Sequence, residues 1–285
     1  MEPHFVPLIW GSESWAISAY KDASSIVRSG NYEGQELRSL WSSNPELFGN
    51  LANKEFPHLI KTIDAKMDLS VQVHPDDAYA QKVEGEDYGK KECWFVLDCD
   101  KDATIIIGHK CSNKDEMQAC IQNDQWNKVL NEIPIKPGDF FLIEPGTIHA
   151  IKGGTKILET QQTSDLTYRL YDYGRLENGK PRELHISKAL DVIDFSGKDV
   201  TNNNFSNTKQ VKTLMCKCDK FSVYLLNING KESFTQDQSY LNCSVIEGSG
   251  NIDGQEIVSG DSFILPNNYG EFQIEGNLKL IVSHV

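Results

Sequence analysis

A chain of 285 residues, 39% hydrophobic and 24% charged, has the composition of a soluble globular protein and length enough for one large or two medium domains. Asp and Glu outnumber Lys and Arg 41 to 28, a formal charge of −13 with no basic run. That balance excludes nucleic acid and anionic membranes as partners, and it obliges any anionic substrate to be met by a local cationic pocket.

The opening "MEPHFVPLIWGSESW" lacks a basic start followed by an apolar core, and no stretch approaches a membrane span, so a cytoplasmic location is expected. A helical pattern over 34–49 aligns Leu37, Leu40 and Trp41 and stops at Gly49. Strand-like runs bounded by Gly, Pro and Asp then dominate: "SVQVH", "CWFVLD", "TIIIGH", "DFFLIEP", "TKILETQQ" and "YRLYDY". A second helical pattern over 112–132, with Met117, Cys120 and Ile121 aligned and Ser112 or Asn113 as cap, reads as an insertion between strands. The polar stretch 195–211 reads as a linker, and the strands "FSVYLLNI", "LNCSVIEG", "DSFILP" and "LKLIVSHV" follow it. So many short strands with so few helices predict an all-β fold of sandwich or barrel type. Seven cysteines, at 93, 99, 111, 120, 216, 218 and 243, are expected as reduced thiols, and Cys216-Lys-Cys218 is too isolated to read as a zinc pair.

A repeat crosses the linker. "KPGDFFLIEPGTIHAI" (136–151) and "VSGDSFILPNNYGEFQI" (258–274) share Gly-Asp, an apolar run and a proline corner, and the second is preceded by a hairpin with Asp-Gly at its turn. Two copies suggest two jelly-roll barrels. Where the first copy has His149 the second has no histidine, which favours a role for His149 beyond the fold.

Gln72 and His74 share one face of a strand, because side chains alternate with period two. Glu92 opens the next apolar run and His149 closes another. Two imidazoles, a carboxylate and an amide oxygen at strand ends make an N/O metal site, and His₂Glu with an open position is an arrangement of catalytic zinc.

Together "LSVQVHPDD", "GKKECWFVLD", "EPGTIHAI" and "ETQQTSDLTYRLYDYGR" resemble, in the same order, the motifs of the type I mannose-6-phosphate isomerases in their short bacterial form. The similarity runs from "LIWG" to about residue 190 and includes "SESWAIS" and "LWSSNPELFG". It implies cupin barrels with a few short helices: a catalytic domain over 1–195 holding the insertion at about 112–132, and a smaller cupin-like domain over 210–285 without metal ligands. It also implies one zinc ion held by Gln72, His74, Glu92 and His149, a catalytic-site Arg169, an acidic site residue Glu159, and Ser70 and Lys90 in the substrate pocket. In this sequence Gly11 runs directly into Ser12 where the family has a longer loop, which bears on the entrance of the site.

The implied reaction interconverts mannose 6-phosphate and fructose 6-phosphate through an enediol. It needs a base that shuttles a proton between C1 and C2 and an electrophile for the developing oxyanion. The base stays open among Glu159, a zinc-bound water and His74 released from zinc, with a role shared by Glu159 and solvent preferred. Plainer roles exist for each residue: an ion pair of Arg169 with Asp165 or Asp172, a solvated turn for Lys90, and a Glu159 that only orients a ligand histidine. Rival functions are an iron oxygenase built on the same ligands and a sugar-phosphate sensor without turnover. The sequence is silent on oligomeric state, and the C-terminal domain is expected to cover an edge of the first barrel without chemistry of its own.

Overall fold

The computed structural model describes residues 1–197, 200 and 202–285; Lys198, Asp199 and Thr201, inside the expected linker, lie outside the described residues. No helix among the described residues is long and apolar enough to cross a membrane. Strands dominate, as expected, and they fall into two compact units that are each discontinuous in sequence. One comprises Met1–Phe5, Ser14–Lys61 and Phe205–Val285, the other Val6–Glu13 and Thr62–Asn204.

In the second unit, strands Thr155–Gln162, Glu92–Cys99, Asp139–Ile143 and Asn202–Asn204 form one sheet in that order. A five-stranded sheet runs Tyr168–Tyr171, Val71–Val73, His149–Ala150, Thr104–His109, Leu130–Pro134. Both sheets contribute to one apolar core: Trp94, Val96, Phe141, Ile143 and Ile157 from the first meet Ile105, Ile107 and Ile151 of the five-stranded sheet and its adjoining loop. On its other face the five-stranded sheet buries Val71, Val73, Ile106, Ala150 and Leu170 beneath Met117, Trp126, Val129, Ala189 and Leu190. These last residues belong to helices Lys114–Gln122, Trp126–Val129 and Ile186–Val192.

The helical pattern over 112–132 is therefore divided. Asn113 caps the first helix, its side chain accepting from Glu116 N at 2.9 Å, and the pattern ends in strand Leu130–Pro134. Pairing of that strand with Thr104–His109 outweighs local helical periodicity. Two further helical segments, Asp77–Tyr79 with its continuation Ala80–Glu84 and Ile186–Val192, carry no periodicity strong enough to be read beforehand.

In the first unit, strands Lys212–Lys217, Ser222–Gln236, Gly270–His284, Leu241–Ile252 and Gln255–Val258 follow one another in a sheet, with Ser262–Leu265 also paired to Leu241–Ile252. The hairpin turn expected at Asp-Gly is present, with both Asp253 (φ 47°) and Gly254 (φ 87°) left-handed, as a two-residue turn of the primed type requires. The compact units cut across the division into 1–195 and 210–285, because 1–5 and 14–61 cluster with 205–285. Aromatic packing is the reason. Trp41, Phe48 and Phe56 stand 5.1–5.9 Å from one another, and Phe56 lies 5.1 Å from Tyr240, centroid to centroid.

Beneath that cluster His58 is buried, its Nε2–H donating to Lys220 O at 3.2 Å while Nδ1 accepts from Tyr240 Oη at 3.0 Å. Burial lowers its pKa from 6.5 to about 4. Between those values the unfolded chain binds a proton that the folded one refuses, so stability rises with pH across this window and the penalty is complete below it. At ~1.36 kcal/mol per pKa unit the effect amounts to roughly 3 kcal/mol. Denaturation followed from pH 7 to pH 4 should show this loss, His58→Gln should flatten the profile, and NMR should titrate the ring near 4; a ring titrating at its ordinary value would refute the account.

Candidate metal centre

The site grows out of one alternation. In Val71–Val73 the two valines are fully buried toward the helices, so Gln72 projects to the opposite face, and His74, two residues on, follows it. Cross-strand register places His149 opposite Gln72 on one side and Arg169 opposite Gln72 on the other. In the facing sheet Glu92 pairs with Gln161, and Glu159 with Trp94, so both carboxylates share the inner face with Trp94. The interior is thus apolar at one end and polar at the other.

His74, Glu92, His149 and Glu159 are each no more than 2% exposed. His74 Nδ1 lies 2.7 Å from Leu166 O, and His149 Nδ1 lies 2.9 Å from Thr147 O. A carbonyl only accepts, so both protons sit on Nδ1 and both Nε2 lone pairs point into the pocket, 3.1 Å apart. Burial lowers the pKa of His149 to about 4, which keeps its ring neutral. Glu92 completes the group, its oxygens 3.7 Å from His74 Nε2 and 3.5 Å from His149 Nε2. Two atoms sharing a tetrahedral ion at zinc–nitrogen distances are separated by about 3.4 Å, so these three residues fit one ion. Each histidine is also oriented by a backbone carbonyl, as metal-bound imidazoles are.

Gln72 stands beside the group: its Nε2 is 3.4 Å from His149 Nε2, while its Oε1 accepts from Ser70 Oγ at 3.4 Å. Lys90 is no solvated turn residue. It is 6% exposed, and its ammonium lies 3.1 Å from His74 Nε2, 2.9 Å from Glu92 and 3.8 Å from Glu159. Gly89 allows this approach: a Cβ there would lie 2.3 Å from the backbone of Asp76, and Lys90 N donates to Pro75 O at 3.0 Å, tying "GKKE" to the turn after His74.

Arg169 is half-buried. Its Nε donates to Ser70 Oγ at 3.3 Å and its Nη1 to Glu183 O at 2.9 Å. Burial, and next the charge of Arg182, lower its pKa. The ion pair weighed for Arg169 with Asp172 gives way to another arrangement, because that carboxylate takes its hydrogen bonds from Arg175 and Arg182. Both of these arginines went unread in the sequence; the signal for Arg175 was its spacing of three from Asp172, and for Arg182 there was none. Ser70 links Arg169 to Gln72, so Ser70→Ala leaves the donor Arg169 Nε and the acceptor Gln72 Oε1 unpaired. Because both partners are only partly buried, the expected cost is about 0.5–1.5 kcal/mol in a denaturant titration; an unchanged midpoint would show that the hydroxyl contributes nothing.

Comparison with known proteins identifies the family. The family model described as "Phosphomannose isomerase type I, catalytic domain" matches residues 10–102, and "Mannose-6-phosphate isomerase, cupin domain" matches 210–285. The chain is 43% identical to mannose-6-phosphate isomerase ManA of Bacillus subtilis (strain 168), covering 96% of this chain and 89% of the relative. It is 42% identical to the mannose-6-phosphate isomerase of Streptococcus mutans serotype c (strain ATCC 700610 / UA159), over 98% of this chain and 90% of that one. Among solved structures, that of the mannose 6-phosphate isomerase from Bacillus subtilis superposes with a TM-score of 0.94 at 41% identity, over 99% of this chain and 98% of the other. With its strand-rich, cupin-type fold and this identity over nearly its whole length, the chain belongs to the type I mannose-6-phosphate isomerases, a family of aldose–ketose isomerases.

Proposed function

We propose that the protein interconverts mannose 6-phosphate and fructose 6-phosphate through an enediol, with one zinc ion. The observation that carries this reading is the spacing of His74 Nε2, His149 Nε2 and a Glu92 carboxylate at 3.1–3.7 Å with both Nδ1 protons committed elsewhere. His74, Glu92 and His149 would hold the ion, and Gln72, whose amide nitrogen faces His149 Nε2 while its oxygen accepts from Ser70, would offer that oxygen as the fourth ligand once the amide is flipped. Zinc suits two imidazoles with a carboxylate and, when bound, would supply a Lewis acid that polarises the sugar's O1 or O2 oxygen.

The remaining steps fall to the chain's own side chains. Glu159, buried on the face that carries Glu92, shares with solvent the proton transfer between C1 and C2. The ammonium of Lys90, 3.8 Å from Glu159, provides a donor for a substrate hydroxyl. Ser70 holds Arg169, whose guanidinium faces the negative charge of the phosphate or the enediolate. Against a protein charge of −13 such a fixed cation is needed to admit a substrate bearing close to two negative charges. The metal-ligand group found among the described residues, His74, Glu92 and His149, lies wholly within 62–204.

Dialysis against a strong chelator should abolish conversion of mannose 6-phosphate in a coupled assay, and zinc should restore it; full activity in a verified metal-free sample would sink the assignment. His149→Ala should remove tightly bound zinc, whereas His284→Ala, next to the last residue, should leave zinc content near wild type. Equal zinc in the two variants would make His149 structural. Arg169→Lys keeps the charge and loses the bidentate fork. It should lower kcat and kcat/KM together by about a hundredfold, in line with loss of one preorganised oxyanion donor, with zinc content unchanged. Wild-type kinetics would refute the catalytic role of Arg169.

A further inference from the structure

Asp172 lies outside the set of groups that surround the reacting centre, yet it is 5% exposed and sits three residues after Arg169. Burial alone would push its pKa up, but hydrogen bonds from Arg182 and Arg175 outweigh this and hold it below the usual value, so the carboxylate is charged. Arg182 grips it with two donors, Nε to Oδ2 at 2.8 Å and Nη2 to Oδ1 at 2.7 Å, and Arg175 Nη2 donates to the same Oδ1. Each arginine leads to one of the two acceptors that fix the Arg169 fork. Arg182 immediately precedes Glu183, whose carbonyl accepts from Arg169 Nη1 at 2.9 Å. Arg175 Nη1 donates to Asp68 O, two residues before Ser70, whose hydroxyl accepts from Arg169 Nε at 3.3 Å.

Backbone geometry reinforces the point. Tyr173, directly after Asp172, has φ 58°, and Gly174 has φ 67°. An aromatic residue in the left-handed region is strained and persists only where its surroundings hold it. Here Arg175 N donates to Asp172 O at 3.0 Å and the Arg175 guanidinium lies 5.1 Å from the Tyr173 ring centroid. The strained turn is the device that brings Arg175 back onto the carboxylate three residues earlier.

We propose that Asp172 is a positioning residue for the isomerase: through Arg182 and Glu183 on one arm, and Arg175, Asp68 and Ser70 on the other, it sets the direction of the Arg169 guanidinium. The inference rests on the reading that Arg169 acts on the substrate. It assigns Asp172 no contact with sugar or metal.

Asp172→Asn keeps the volume and one acceptor oxygen while removing the charge that holds two guanidinium groups. Its effect is measured alone and in an Arg169→Lys background, as kcat and KM for mannose 6-phosphate, with metal content and thermal midpoint recorded beside them. Alone it should lower kcat/KM about tenfold, mainly through kcat, with metal retained; once the Arg169 fork is gone, it should lower kcat/KM by less than twofold further. An equal loss in both backgrounds, or no loss in either, overturns the inference and leaves the role of Arg169 standing. Arg169→Lys at wild-type kinetics removes the underlying reading, and the inference falls with it. Should Asp172→Asn fail to fold, Arg182→Gln, which releases only the Glu183 arm, goes through the same cycle and is judged by the same non-additivity.

Discussion

The rest of the catalytic unit depends on two imidazoles that are made to face each other. Each has its Nδ1 proton committed to a backbone carbonyl, so the Nε2 atoms of His74 and His149 are turned toward each other at 3.1 Å. Burial denies them water, and for His149 it also denies a second proton, so the electron density of both rings, together with Glu92, must be met by a cation. The ammonium of Lys90 meets part of it, which is why a lysine is kept 6% exposed beside two histidines. Such a pocket is costly to fold and therefore implies a function.

Rigidity of the pocket follows from how its strands are packed. The same strand that presents Gln72 toward His149 drives Val71 and Val73 into a core roofed by three helices, so the polar face cannot slip without exposing the apolar one. Trp94 supports His149 edge-to-face at 5.3 Å from the other sheet. Arg169 is fixed differently, by hydrogen bonds to Ser70 and to the Glu183 carbonyl, which suits a group that must meet a charged substrate.

In the unit that contains 205–285, the second copy of the Gly-Asp and proline pattern builds the same turn and strand, Ser262–Leu265, with no histidine in its copy of the motif. What it keeps instead is aromatic packing around a buried, neutral His58. His149 of the first copy thus has no counterpart in the second.

Much of the site was legible because it depends on short-range periods. Alternation alone places Gln72 and His74 on one face, the internal repeat singles out His149, and the ordered motifs extend the set to Glu92, Glu159 and Arg169. Asp-Gly at 253–254 and the cap at Asn113 were equally readable, since a turn or cap is decided by the conformations of a few neighbouring residues. Only tertiary structure decided the rest. Leu130–Pro134 left its helical pattern because a strand 26 residues earlier was available to pair with it. Packing placed 14–61 with 205–285 through rings such as Phe56 and Tyr240, and it seated His58 against a tyrosine 182 residues away. It likewise gave Asp172 to Arg175 and Arg182, leaving Arg169 to Ser70 and Glu183, because which charges meet depends on how the chain folds back and not on their order along it.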